Sequence, residues 1–410
     1  MEAGNKRGVD GSPKWSGYPA RLLIGVLAAL AILSERADAQ FLSRDHPVSA
    51  NEIKLGMSVA QTGRAGAIGM EIQQGCEACI AKVNREGGIA GRRLVLVDYD
   101  DHYEPVETVS NVERLIDHDK VFALLDFYGT PTCRAILPMI NDANIVMVGP
   151  ISGSNSLRQP MQRLIFNTRA TYAEEAELLV EHIGADLGCK TVALFRQDDS
   201  DGDAARGAVI EALRRHGSSL VGESVYVRNS VKAPDALFLV TKIKPDAVIM
   251  SGSYKPCADF IRSAKELGLK NTVFCTVSTV GTEPLIKYLG KDSDGIVISQ
   301  VMPSPNDDSL PFVRDYQADM RAIGSTDFTY MGLEAYMNCD ALASGLRAVG
   351  ADLTEDSLVR ALEHLTLDFK AFSIRFSQDS RQGNKKVFLT QVDLGHAVSV
   401  AKLDLPRSGK

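Results

Sequence analysis

The sequence of 410 residues is poor in aromatic side chains, at 6%, and holds one tryptophan, Trp15. It has no basic stripe. A formal net charge of −7 at pH 7 is the wrong sign for a nucleic-acid footprint, so no nucleic-acid partner is expected. No apolar run approaches the ~20 residues that cross a bilayer as a helix. The longest, from Leu22 to Leu33, stops well short. No G-x-G-x-x-G follows a strand-like run and no G-x-x-x-x-G-K-[ST] occurs, which leaves a nucleotide cradle without its motif. The stretch Gly149-Pro-Ile-Ser152-Gly153 puts its serine at the wrong offset for a nucleophile elbow. Seven histidines are scattered without metal-ligand spacing. No catalytic residue, metal or cofactor is expected.

Cysteine is sparse and odd in number: residues 76, 79, 133, 189, 257, 275 and 339. The spacing is irregular, and a chain of this size can fold by core burial. A disulfide framework is therefore not expected, and at least one thiol should be free or pair between chains. Cys76-Glu-Ala-Cys79 lies mid-helix on an apolar face, which reads as two small core residues rather than a redox or zinc pair. Asp98-Tyr-Asp-Asp101 follows a strand and precedes Pro105, so it reads as a turn with helix-capping residues rather than a metal cluster.

What is present begins with an export signal. Lys6, Arg7, Lys14 and Arg21 precede the apolar run, and Ala37-Asp-Ala39 offers a cleavage site before Gln40, which predicts a signal peptide over 1–39 and a periplasmic protein. From Glu52 the pattern alternates. Strand Ile53–Val59 is followed by a helix with apolar face Ile72, Cys76, Cys79, Ile80 and Val83, ending at Gly87-Gly88. Then come strand Arg93–Asp98, a helix around Val106–Ile116, strand Val121–Leu125, helix Pro131–Asn141 and strand Ile145–Val148. The same grammar restarts near 171: helix Ala173–Ile183, strand Thr191–Phe195, helix Ala204–Arg215, strand Leu220–Val227, helix Pro234–Ile243, strand Ala247–Met250, helix Pro256–Leu267 and strand Thr272–Cys275. Beyond lie the strand 295–300, three helices between Leu310 and Leu365, and a strand pair, Phe372–Phe376 with Lys386–Asp393. Strands alternating with helices imply parallel sheets with right-handed crossovers, so the fold class is α/β with two similar lobes.

Each apolar strand runs into a small polar loop: Tyr128-Gly129-Thr130-Pro-Thr132, Pro150-Ile151-Ser152-Gly153-Ser154, Asp198-Asp-Ser-Asp201-Gly202, Ser251-Gly-Ser253-Tyr254 and Ser278-Thr279. Open parallel sheets bind ligands at the carboxyl ends of their strands. If the two sheets share one cleft, hydroxyls and N–H groups converge there from both sides on a small polar ligand.

These residues also carry a resemblance. Ile53-Lys-Leu-Gly56, Thr62-Gly63, Asn84-Arg-Glu-Gly-Gly-Ile-Ala-Gly91, Asp98–Pro105, Gly129-Thr-Pro-Thr132, Gly149-Pro150 and Asp246–Tyr254, in this order over roughly residues 50–400, resemble the periplasmic leucine/isoleucine/valine-binding protein family. The resemblance implies a type I periplasmic-binding fold: two doubly wound parallel-sheet lobes, three crossings and a ligand cleft between them. It places 50–170 plus 276–385 in one lobe and 171–275 plus 386–406 in the other. It implies a monomer that captures a small molecule for the membrane permease of an ABC importer and does no chemistry.

By the resemblance, the loops at Gly129-Thr130 and Ile151-Ser152-Gly153 hold a ligand carboxylate, aided by the helix that starts at Pro131. Tyr128 and Ser253 would line the site, Tyr172, Tyr254 and Asp201 are expected to choose the ligand's other end, and Ile68 falls where the family often has an aromatic lip. Ser278 stands at the position of an acid that pairs with a ligand ammonium, and Asp201 stands where an aromatic residue flanks the ligand. By its own surroundings, Asp201 reads as a solvated residue of an Asp-rich turn. The ligand expected is a small carboxylate: an amino acid, an amide or an aromatic acid. Two further readings stay open, a sensory receptor subunit acting on a membrane sensor, and an exported α/β hydrolase using Ser152.

Overall fold

The structure, a computed structural model, describes residues 48–230 and 234–404. In the first lobe, β1 (Glu52–Val59), β2 (Arg93–Asp100), β3 (Ala123–Leu125), β4 (Val146–Val148) and β5 (Ile165–Phe166) run parallel in the order β2-β1-β3-β4-β5. They are linked by α1 (Gly66–Arg85), α2 (Pro105–Asp117) and two short helices, α3 (Thr130–Ala135) and α4 (Leu137–Asp142). The apolar face read from the sequence is buried as expected: Ile72, Cys76, Cys79 and Val83 of α1 lie in the core with Ile53, Leu55 and Met57 of β1.

The second lobe alternates α5 (Tyr172–Ala185), β6 (Val192–Gln197), α6 (Ser200–Arg215), β7 (Leu220–Tyr226), α7 (Pro234–Ile243), β8 (Ala247–Met250), α8 (Tyr254–Glu266), β9 (Val273–Thr276), α9 (Thr282–Leu289) and β10 (Val297–Gln300). The chain then forms α10 (Pro311–Ala322), α11 (Tyr330–Val349), α12 (Glu355–Glu363), the hairpin β11 (Thr366–Asp368) and β12 (Ser373–Arg375), and finally β13 (Phe388–Asp393) and β14 (His396–Ser399). The second sheet has the order β14-β13-β10-β9-β8-β6-β7, with its last five strands parallel and the β13-β14 edge antiparallel. Three segments, 167–171, 301–310 and 376–387, connect the two halves. Two of them run side by side, Asn167 N–H donating to Arg381 O at 2.8 Å and Gly383 N–H to Asn167 O at 2.7 Å.

Several expectations are corrected. Strand β10 pairs with β9 and β13, so the chain leaves the second sheet after Gln300 and not at 276. The strands near 372–376 and 386–393 do not pair with each other: β12 pairs with β11, and β13 is held between β10 and β14. The helix expected over Pro131–Asn141 is two helices of 6 residues each, because Pro138 has no N–H to continue the ladder and its ring crowds the preceding turn. Finally, Cys79 is joined to Cys339 by a disulfide, contrary to the reading of Cys79 as a free core thiol. It ties α1 to α11, which lies along it. The two helices cross closely enough that a Cβ on Gly75 would fall inside the Gly332 carbonyl.

Candidate functional site

The first lobe prepares one wall. The loops after β3 and β4 are zipped together by backbone bonds, Gly129 N–H to Ile151 O at 3.0 Å and Ile151 N–H to Phe127 O at 2.8 Å. That pairing sets Thr130 and Ser152, both fully buried, 2.8 Å apart through their hydroxyls. Gly129 has φ +93, and a Cβ there would meet the ring of Tyr103; only glycine fits both demands. Helix α3 is too short for the macrodipole contribution expected of a longer helix. The wall works through hydroxyls.

The second lobe brings Asp201. Helix α6 starts at Ser200, earlier than the sequence suggested, with the Asp199 side chain accepting from Asp201 N–H at 2.9 Å. This puts Asp201 in the first helical turn and buries it, so it is not the solvated turn residue that its Asp-rich surroundings indicated. Its Oδ1 accepts from Thr130 Oγ1 at 2.8 Å and from Tyr172 OH at 2.6 Å. Tyr172 OH lies 3.2 Å from Thr279 Oγ1, and Tyr128 OH donates to the Thr279 carbonyl at 2.9 Å. A hydroxyl carries one hydrogen. With those of Thr130 and Tyr172 given to Asp201, Ser152 donates to Thr130 and Thr279 donates to Tyr172. Four hydroxyls from both lobes thus converge, directly or in relay, on one carboxylate oxygen. Burial lifts the Asp201 carboxyl to about 6, against the lowering effect of the Tyr172 and Thr130 bonds.

The other expected residues divide. Gly153 lies under the Tyr172 ring, where a Cβ would collide with it, and its carbonyl accepts Tyr172 N–H at 2.8 Å. Ile151 pairs with Tyr128, and Ile68 packs against Gly281 of the other lobe. Ser278 faces away from the network: its Oγ accepts from Arg169, and its N–H donates to Glu175 Oε2 at 2.7 Å. Ser253 N–H is bound to Tyr226 OH at 2.9 Å, and Tyr254 meets Tyr288 edge-on at 6.2 Å; neither joins the network. Ser152 has hydroxyl contacts with Thr130 and with Ser154 N–H, neither of which is a base. Among the described residues no cluster of three or more His, Cys, Asp or Glu is placed to hold a metal. In the Asp98–Asp101 stretch, β2 runs on to Asp100 and Asp101 ties Ser58, Tyr103 and Thr108 together.

Sequence reasoning missed two residues. Arg169 is fully buried, its guanidinium 3.5 Å from Glu175, 3.4 Å from Glu334 and bonded to Ser278. Burial alone would lower its pKa, but Glu334 and Glu175 more than offset that and raise it. Its signal was a lone cation directly after an apolar strand. Tyr103, inside the quoted Asp98–Pro105 stretch, packs with its ring tilted against that of Tyr128 at 5.1 Å and accepts from Gln197 of the second lobe at 3.2 Å. A cavity of about 490 Å³ opens beside Gly153 and Tyr172, bounded by Arg134, Ser154 and Asp203. A larger one, of about 680 Å³, shares no residue with the hydroxyl network and lies between α1 and α9.

Comparison with known proteins bears on the family and the fold. A family model described as periplasmic binding protein matches residues 52–397. The Leu/Ile/Val/Thr-binding protein of Salmonella typhimurium is 23% identical over 262 residues, which cover 63% of this chain and 70% of that protein. The crystal structure of a possible leucine/isoleucine/valine-binding protein from Rhodopirellula baltica superposes with a TM-score of 0.82 at 32% identity, covering 87% of this chain and 98% of the other. A solute-binding protein of an ABC transporter from R. palustris, solved with benzoate, superposes with a TM-score of 0.77 at 16% identity over 85% of this chain and 96% of the other. At that identity it bears on the fold alone.

Proposed function

The chain belongs to the periplasmic binding protein family, and from that membership we propose that it is an exported protein that closes on a small carboxylate-bearing ligand and delivers it to an ABC importer. The observation that carries this reading is the convergence of the Thr130 and Tyr172 hydroxyls, backed in relay by those of Ser152 and Thr279, on a single carboxylate oxygen at the meeting of the two lobes. The chemical species those donors receive here is a carboxylate, that of Asp201. A ligand carboxylate is the same acceptor, and contacts from both lobes would favour the closed form. A relative named for leucine, isoleucine, valine and threonine fits a small carboxylate as the ligand. The signal segment at 1–39, which lies outside the described residues, and this family support a periplasmic location and a role without catalysis.

The test is titration calorimetry against amino acids, their amides and aromatic acids, with Thr130→Ala beside the wild type. A hydrogen bond to a charged group contributes about 1.5–3 kcal/mol, so the variant is expected to bind the best carboxylate roughly ten- to a hundredfold more weakly. An unchanged Kd would place the carboxylate elsewhere.

A further inference from the structure

We infer that Asp201 is a built-in occupant of the carboxylate seat, a specificity-determining residue that a ligand carboxylate must displace or meet in its protonated form. The inference rests on the reading of Thr130 and Ser152 as that seat. Thr130 and Tyr172 have one hydroxyl hydrogen each, and both are spent on Asp201 Oδ1; the same hydrogens cannot serve a second anion. A second carboxylate beside a buried first one is opposed by like-charge repulsion.

The nearby cation Arg169 relieves that repulsion less than the Tyr172 and Thr130 hydrogen bonds do. Arg169 is already bracketed by Glu175 and Glu334 and bonded to Ser278. Asp199, two residues before Asp201, adds a further negative charge and is paired with Arg228 at 2.9 Å. The remaining titratable groups facing Asp201 are phenols and thiols. Tyr103, Tyr128 and Cys133 come from the first lobe, and Tyr172, Tyr226 and Cys257 from the second. Burial pushes all six upward, so they stay neutral while Asp201, near 6, changes charge.

The sign follows from linkage. A bound carboxylate raises the Asp201 pKa further, so binding takes up a proton. Affinity for a carboxylate is then greatest below about pH 6 and falls by up to tenfold per unit as pH rises above it. A protonated Asp201 turns from competitor to donor. A neutral amide of the same ligand makes no such demand.

The experiment titrates benzoate, L-leucine, benzamide and L-leucinamide into the full mature chain and its Asp201→Asn variant at about pH 5.5 and pH 7.5. Asn keeps the shape but carries no charge, so it neither repels a second carboxylate nor holds the Thr130 hydrogen as strongly as an anion does. Asp201→Ser serves if the Asn variant does not fold, judged by its melting curve. At the higher pH the variant is expected to bind a carboxylate at least tenfold tighter than wild type, with the gap closing at the lower pH. Equal affinities and parallel pH profiles in the two proteins would overturn the inference while leaving the seat intact. Loss of amide or amine binding in the variant would also overturn it, since Asp201 would then be the ligand's acceptor. If no carboxylate binds either protein at either pH, the carboxylate seat itself falls, and the inference with it.

Discussion

Glu71 on α1 and Glu283 on α9 face the cavity of about 680 Å³ from opposite lobes, along with Lys287, Asp327 and Tyr330. Nothing in their sequence neighbourhoods marks them, yet burial lifts both carboxyls, Glu283 to about 7 and Glu71 well above its ordinary value with Glu283 as the next cause. One oxygen of each has no hydrogen-bond partner. A carboxyl whose folded pKa lies above its unfolded one near 4.5 destabilises the fold increasingly as pH rises between the two values, and not below them. Glu283→Gln is therefore expected to raise Tm at about pH 8 and to leave it nearly unchanged at about pH 4. Melting curves across that range check it; a uniform shift at every pH would point to packing instead of charge.

Helices α1 and α11 are distant in sequence and adjacent in space. The Cys79–Cys339 disulfide spans 260 positions, and a cross-link over so long a loop stabilises mainly by restricting the unfolded chain, commonly by about 2–4 kcal/mol. The double variant Cys79→Ala, Cys339→Ala should lose stability on that scale in urea denaturation. Reductant should destabilise the wild type and leave the variant unmoved. The same helix pair shows how composition can mislead: a C-x-x-C on an apolar face read as two equivalent core thiols. In the fold, Cys76 donates to Asp126 at 2.8 Å while Cys79 is bonded to Cys339.

At the scale of the molecule, the lobes are also held at a second place. Arg228 reaches Glu104 of the first lobe at 3.1 Å, and Asn229 donates to Glu104 at 2.7 Å and to the His102 carbonyl at 3.1 Å. Partly exposed ion pairs contribute about 0.2–1 kcal/mol each, enough to shift an equilibrium between open and closed lobes severalfold. Arg228→Ala is expected to enlarge the radius of gyration measured by small-angle scattering without ligand and to weaken ligand binding modestly. Saturating ligand should restore the compact value. A variant as compact as wild type without ligand would show that the lobes are held without Arg228.

The alternation of apolar runs and amphipathic helices determined most of this fold from the sequence, because strand and helix periods are local and survive wherever the element is placed. The same holds for Thr130 and Ser152: a small polar loop at the end of a buried strand is a local pattern, and so is the glycine that lets it turn. Where β10 and β13 would pair, which cysteine Cys79 would meet and where Arg169 would find its acids depended on contacts between residues far apart in the chain. So did the role of Asp201. Its type and its Asp-rich neighbourhood describe a surface turn, and only the meeting of two lobes buries it on the hydroxyls of the other half. Burial and partner decide what a carboxylate does, and both are properties of the assembled structure.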